Sequence, residues 1–554
     1  MVVYCKQISI MKGQLMDVIE SLKLNIQKAF AALGVEIPLN DIIIEHSKDP
    51  EHGDYATNAA MKNCRLLKTS PINVANALIE KLDKEGIEKI EIAGPGFINF
   101  FMKNDSLQPI VKKVLEQGDS FGRNDKKNFK VNVEFVSANP TGDLHVGHAR
   151  GAAIGDSICR IMDFAGYDVT REYYINDAGN QIDHLADSIL SRYKELLGVP
   201  NEFPEDGYHG QDIYYVAQKI IDEVGDKLLK EKDPIPFLKE RGMAIELDKI
   251  RADLALFRVS FDIFSSELKV RSNGAMEKEI EFLKKHTYKD GDAVVLRTTD
   301  FLDDKDRVII KSNGEYTYFM PDIVYHVNKM SRGYDQLIDV LGADHHGYIN
   351  RMKSALMMHG YSADSLEVEL IQMVKFIRDG VEVKASKRTG DAITLKEICE
   401  EVGVDAMRYF FAMRASTAHL DFDMNLALEQ SSNNPVYYAQ YAHARLCSIL
   451  EQGKDIGIDA SASKLEKPSE MALLKHIANF PNVVNDSAKE RAPYKITNYI
   501  HDLAGLIHEF YTECRVIDRD NTEVSSSRLA LCKASEQVMK NALNLIGVSA
   551  PERM

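Results

Sequence analysis

Two histidines three positions apart, His145 and His148, flank Gly147 where a short strand gives way to a helix. Imidazole there can donate a hydrogen bond to charge building up on a phosphate in a transition state. The free N–H groups and positive end of the helix favour an anion at the same spot. The loop is neither a dinucleotide-binding GxGxxG nor a lysine-bearing P-loop. Far along the chain, Glu382–Gly390 (EVKASKRTG) gathers Lys384, Lys387 and Arg388 beside Ser386. Such a cationic loop suits a polyphosphate whose charge rises during reaction. Taken singly, an HxxH is more often a pair of satisfied polar residues, and a KxxKR run is usually a solvated face. In this order, on two halves of one sheet, they point to adenylate chemistry. Asp344, His345 and His346 in GADHHGY have the side chains of a metal cluster, but no further ligand lies at recognisable spacing.

The elements that must position these groups follow from hydrophobic spacing. Val131, Val133 and Phe135 alternate with polar neighbours as a strand that ends at the turn Ser137–Gly142. Ile154, Ile158, Ile161 and Ala165 then recur at helical spacing. Asp168–Ile175 reads as a second strand and Leu337–Leu341 as a later one, so residues 129–425 are expected to form a Rossmann-like, doubly wound parallel α/β sheet. The charged, helix-patterned stretch from Arg192 to Lys289 is expected as an insertion between its halves. Residues 1–115 read as a small α+β domain. It has a helix over 16–33, another near Ile72–Lys84, and strands around the Gly-Pro-Gly of Ile90–Met102. Polar Glu116–Asn128 is the expected linker. Residues 426–554 are helix-patterned over Tyr437–Leu450, Glu470–Asn479, Ile496–Val516 and Ser525–Leu545, an all-α bundle.

A chain of 554 residues exceeds one core. Its net charge of −16 argues against indiscriminate coating of nucleic acid, while leaving a specific RNA partner open through local basic patches. The seven cysteines form no CxxC pair, which excludes a recognisable zinc ribbon and gives no disulfide framework. A reducing cytoplasm is the expected compartment. No apolar run approaches a membrane span of ~20 residues, and no signal-peptide pattern opens the chain.

HVGH resembles the HIGH signature of class I aminoacyl-tRNA synthetases, and KASKR their KMSKS loop. Longer strings resemble the arginyl-tRNA synthetases in particular: VEFVSANPTGDLHVGHARGAAIGD, YINDAGNQI, NNPVYYAQYAHAR, NALNLIGVSAPERM, GDYATNAAM and GPGFINF. The resemblance runs nearly end to end. It implies that arginine and Mg2+-bound ATP form arginyl-adenylate, and that the arginyl group then passes to tRNA(Arg), activation itself requiring the tRNA. No nucleophilic side chain is needed; the protein supplies position and electrostatics. His145 and His148 would bind ATP phosphates, with Gly147 letting the adenine approach the backbone. Lys387 would hold the departing pyrophosphate, with Lys384, Ser386 and Arg388 supporting the loop. Ala385 and Arg388 depart from the signature, and neither change removes a cation.

For the substrate guanidinium the resemblance points to Glu134 and Asp322, with Tyr318 for stacking, Asn139 for the α-amino end, and Asp344 for arginine or the ribose. Tyr318 and Asp322 are four apart, on one face of a helix beginning there. For RNA, Asp405, Ala406 and Arg408 resemble the DALR element that leads into an anticodon-binding domain. Tyr437 and Arg491, among other aromatic and basic residues of the bundle, offer stacking and phosphate contacts. Phe97 and Asn99 fall where the family's N-terminal domain touches the tRNA elbow, against the reading of a buried strand. A monomer without protein-bound zinc is the family expectation.

Overall fold

A computed structural model describes residues 18–46, 52–103, 107–272, 274–383 and 393–554. The first unit is an antiparallel sheet of β1 (Ile44–His46), β2 (Tyr55–Thr57), β3 (Ile87–Ala93) and β4 (Phe97–Met102) in the order β1-β2-β4-β3. Helices Val18–Ala32 and Pro71–Lys81 help build a core of its own around Phe30, Val74, Leu78, Ile98 and Phe100. Ser70 starts the second helix, its hydroxyl accepting from the Asn73 N–H, with Pro71 at the first helical position. An ion pair between Asp54 and Lys475 ties this unit to the C-terminal bundle.

The central sheet runs β5 (Lys130–Glu134), β6 (Asp168–Ile175) and β7 (Ile263–Ser266). After a separate antiparallel patch of β8 (Thr287–Asp290), β9 (Ala293–Leu296) and β10 (Arg307–Ile310) come β11 (Gln336–Gly342) and β12 (Leu366–Ile371). The order is β12-β11-β5-β6-β7, parallel throughout. The winding reverses between β5 and β11, and the crevice beyond their C-terminal ends is where such sheets bind ligands. Gly155 permits helix Val146–Phe164 to lie close on β5, since a Cβ there would stand 2.4 Å from the Phe135 ring.

Two boundaries differ from the sequence reading. β7 falls inside the expected insertion 192–289 yet is an edge strand of the main sheet. Its four half-buried residues, IFSS, are too few to show a strand period. The inserted helices before it, Gln211–Val224 and Ile235–Leu256, share a separate core with Asn180–Leu196. The expected linker Glu116–Asn128 is also packed in place. Phe121 is fully buried and stacks on Phe480 with ring centroids 6.2 Å apart, and Asn541 donates to the carbonyls of Gly118 and Phe121. One apolar residue amid polar neighbours gives no periodic signal, though it decides the packing. The bundle comprises helices Pro435–Gln452, Pro468–Glu490, Pro493–Glu513 and Thr522–Leu545, and its core is continuous with that of the sheet.

Candidate active site

At the end of β5 the chain turns sharply, with Val136 and Ser137 at φ of 67° and 41°. A β-branched residue in that left-handed region is strained, and the surroundings hold it there. Ser137 Oγ donates to Glu134 Oε1 (3.0 Å) and accepts from the Tyr174 N–H (3.0 Å), while the Tyr173 hydroxyl donates to the Ala138 carbonyl (2.7 Å). This turn delivers the histidine loop. His145 caps helix Val146–Phe164, its Nδ1 accepting from the Gly147 N–H at 3.0 Å. An accepting Nδ1 means a neutral ring protonated on Nε2. Burial lowers the His145 pKa, and it pushes His148 down to about 4 with help from His145. The two rings lie 3.9 Å apart, and His148 Nδ1 is buried without a hydrogen-bond partner among the described residues. Both side chains are therefore neutral at pH 7, offering N–H donors rather than full charges. The volume a Cβ on Gly147 would fill is taken by the His145 ring, at 2.7 Å.

Residues Lys384, Ser386, Lys387 and Arg388 lie outside the described residues. The chain just beyond them is hydrogen-bonded to the histidine loop. Val146 N–H donates to the Ile393 carbonyl (3.0 Å), and Leu395 N–H to that of Leu144 (2.7 Å). Thr394, bridged to His145, then opens helix Leu395–Val402 with a capping box. Two positions after His148, the fully buried Arg150 donates to the carbonyls of Gln372, Ala415 and Ala418 at 2.8–2.9 Å. Burial draws its pKa down to about 10.

Beneath the crevice, Asp339, Glu134 and Glu172 are direct register partners on β11, β5 and β6, a row of three buried carboxylates on one face. Like charges so placed repel. Their cations all come from helix Phe319–Ser331 and its C-cap, at His326, Lys329 and Arg332. Lys329 Nζ reaches Glu134 Oε2 (2.5 Å) and Asp339 Oδ1 (3.0 Å); Arg332 reaches Glu172 Oε2 (2.7 Å); His326 Nε2 meets Asp339 Oδ2 (2.7 Å). Burial alone would raise Asp339, yet Lys329 and His326 hold it well below the carboxylate range.

Asp322 continues the same helix face, one turn before His326. No donor or cation among the described residues is bonded to its carboxylate. Burial, with the charges of Glu134 and Glu267, pushes its pKa up to about 7 against the pull of His326. Glu134, expected to share the substrate guanidinium, is already bonded to Lys329 and Ser137. Tyr318, expected as a stacking wall beside Asp322, is 88% exposed. Tyr348 is a buried ring with Arg351 5.1 Å over it, and Tyr174 lies against Tyr325 at 4.5 Å. Asn139 and Asp344 are exposed in the loops after β5 and β11, and His345 Nε2 stands 3.8 Å from Asp344 Oδ1.

The expected RNA contacts divide. Phe97 is half-buried, but Asn99 is 4% exposed between β2 and β3. Arg491 bonds Glu369 on β12 at 2.5 Å, pinning the bundle to the sheet edge. Tyr437 lies parallel to Tyr441 at 6.2 Å, lining a cavity of about 420 Å³ with Ser432, Tyr438 and His508. Asp405 and Arg408 are internal ties. Arg408, fully buried, joins Asp156 of the histidine-headed helix (2.5 Å) to the Ile546 carbonyl near the chain's end (2.8 Å). Sequence reasoning missed Ser137, Arg150, Glu172, Asp339 and the cation stripe. The recurrence of His326, Lys329 and Arg332 every three residues was its one readable signal.

Three family profiles match in order: "Arginyl tRNA synthetase N terminal domain" over residues 20–102, "tRNA synthetases class I (R), catalytic domain" over 110–446, and "DALR anticodon binding domain" over 439–554. The arginine–tRNA ligase of Bacillus subtilis is 50% identical over 553 residues, covering 98% of this chain and 99% of the relative. That of Bacillus pumilus is 51% identical over 536 residues, covering 95% and 96%. Thermus thermophilus arginyl-tRNA synthetase, at 21% identity, shares the fold with a TM-score of 0.76 over 97% of this chain and all of that one. With all three parts matched and half of the residues identical along its length, the chain belongs to the arginyl-tRNA synthetase family.

Proposed function

We infer that this chain is an arginine–tRNA ligase. In the first step the arginine carboxylate attacks the α-phosphate of ATP, which enters with its magnesium ion as substrate. The new O–P bond forms as the bond to pyrophosphate breaks. In the second step the terminal adenosine hydroxyl of tRNA(Arg) attacks the arginyl carbonyl and AMP leaves. The observation that carries the substrate reading is Asp322, a half-buried carboxylate with no cation bonded to it among the described residues, on the helix whose Lys329 bonds Glu134 of β5 and Asp339 of β11, where the winding of the sheet reverses. A guanidinium supplies that cation and at the same time lowers the cost of ionising the group. Ser137 and Lys329 orient Glu134 at the pocket floor. Asn139 and Asp344 take the polar ends of arginine and the nucleotide, and Tyr318 closes over the ligand from its exposed position.

His145 and His148 act as neutral N–H donors to the phosphates, where charge grows as pyrophosphate separates. Lys387, with Lys384, Ser386 and Arg388, takes up the departing charge. Arg150 positions the histidine helix against the chain around Gln372 and Ala418. In the bundle, the Tyr437 cavity receives an unstacked tRNA base. Phe97 offers a further tRNA contact on the N-terminal sheet, whereas Asn99 and Arg491 reach RNA only after leaving their present surroundings. The enzyme works as a cytoplasmic monomer. The test is ATP–pyrophosphate exchange and tRNA charging with each amino acid in turn. Exchange is expected only with arginine and tRNA together; robust exchange with another amino acid, and none with arginine plus tRNA, overturns the assignment.

A further inference from the structure

His326 is buried one turn beyond Asp322 on the same helix, and its hydrogen bonds fix its charge. Nδ1 lies 2.7 Å from the backbone carbonyl oxygen of Asp322, and Nε2 lies 2.7 Å from Asp339 Oδ2. A carbonyl oxygen only accepts. Asp339, with the Lys329 ammonium 3.0 Å from its other oxygen, stays ionised and also only accepts. Both ring nitrogens must then carry hydrogen, which makes this 3%-exposed ring an imidazolium. Burial alone would drive the proton off; the Asp339 carboxylate more than offsets that.

The charges around it come from every side. Asp339 on β11, Glu134 on β5 and Glu172 on β6 are the three anions of the row. Lys329 and Arg332 on the helix of His326 are two of the cations, and His326 itself is the third. Tyr325 and Tyr348 face it as neutral phenols, with ring centroids 5.5 and 6.1 Å away. Arg351, on helix Ile349–Met358, lies over the Phe319 and Tyr348 rings, and Glu267 is held by Arg271. The row is thus electrically even only while His326 is charged, and Asp322 is the fourth carboxylate beside it.

We propose that His326 is a positioning residue held as an imidazolium, whose charge keeps the carboxylate row even so that Asp322 can ionise when a guanidinium binds. The proposal rests on the reading of Asp322 as the arginine-binding carboxylate. Without the imidazolium, the row carries one uncompensated negative charge next to Asp322, and Asp322 holds its proton to higher pH. The ring's second bond, to the Asp322 carbonyl, fixes the helical turn that carries the carboxylate.

The test is the pH dependence of kcat/KM for arginine in tRNA charging, which reports groups in the free enzyme. His326→Gln is expected to move the acid limb upward by about one pH unit, the usual size of a lost opposite charge nearby, with near-wild-type rates restored at high pH. A uniform loss at all pH values, or an unmoved limb, overturns the proposal. Should His326→Gln fail to fold, 15N spectra of the histidine-labelled wild-type enzyme decide. One ring with both nitrogens protonated well above neutral pH is expected, and a spectrum without one overturns the idea. Asp322→Asn separates the two levels. If it leaves the arginine KM unchanged, the substrate reading falls and the proposal with it. If it raises KM while His326→Gln leaves the limb in place, only the role of His326 falls.

Discussion

On the sheet side of the crevice, three buried carboxylates meet three cations, the buried His326 and Lys329 and the partly exposed Arg332. On the loop side, two neutral imidazoles lie against each other, one with a buried nitrogen that nothing among the described residues satisfies. The first wall is charged and internally complete except for Asp322; the second is uncharged and open. Under the proposed function, each leaves unfilled what its ligand would bring: a cation for Asp322, and phosphate oxygens for the imidazole N–H groups. The difference separates stability from chemistry, because breaking a complete buried network unfolds a protein, whereas removing an open donor mainly slows a reaction.

The largest effect is therefore expected on the complete side. Lys329→Met leaves Glu134 and Asp339 facing each other without their shared ammonium. Breaking such a buried pair costs about 3–5 kcal/mol, visible as a lower denaturation midpoint with or without ligands. An unchanged midpoint would mean that water reaches the row and the wall is not the closed network described. His148→Ala removes an open donor. It is expected to slow arginyl-adenylate formation by roughly a hundredfold to a thousandfold, with tRNA affinity and thermal midpoint close to wild type. Parallel loss of stability would put the histidines on the structural side of the comparison.

Much of this was legible in the sequence, for reasons that also mark the limit. The strand at Lys130–Glu134 and its helix are local patterns, so periodicity found them, and the four bundle helices were found the same way. The carboxylate row was not legible, because Asp339, Glu134 and Glu172 become neighbours only through parallel register between strands far apart in the chain. β7 was too short to register, and Phe121 was a lone apolar residue in a polar stretch. Arg491 and Asn99 read as RNA contacts because nothing local discloses that Glu369 or a neighbouring strand engages them. Chemistry-bearing loops announce themselves by residue type; what neutralises or buries a side chain is settled by topology.

The smallest effects concern the one incomplete position of the charged wall, and they run in opposite directions. Asp322→Asn is expected to raise the KM for arginine by roughly tenfold to a hundredfold, as loss of a charge-assisted hydrogen bond worth about 1.5–3 kcal/mol does. The same change should stabilise the ligand-free protein. The folded-state pKa of Asp322 is raised to about 7. The unfolded chain therefore gives up this proton more readily, and ionisation costs the fold stability as pH climbs from the ordinary carboxylate range through 7. At pH 8 Asp322→Asn removes that penalty, while at pH 4 it changes little. Arginine reverses the sign, because a bound guanidinium favours the ionised form. Below pH 7 arginine binding must then expel a proton, and affinity falls as pH drops; above pH 8 no proton moves. Calorimetric titrations in two buffers of different ionisation enthalpy measure that proton directly. If none is released at pH 6, Asp322 is ionised before arginine arrives, and the two walls differ less than their geometry indicates.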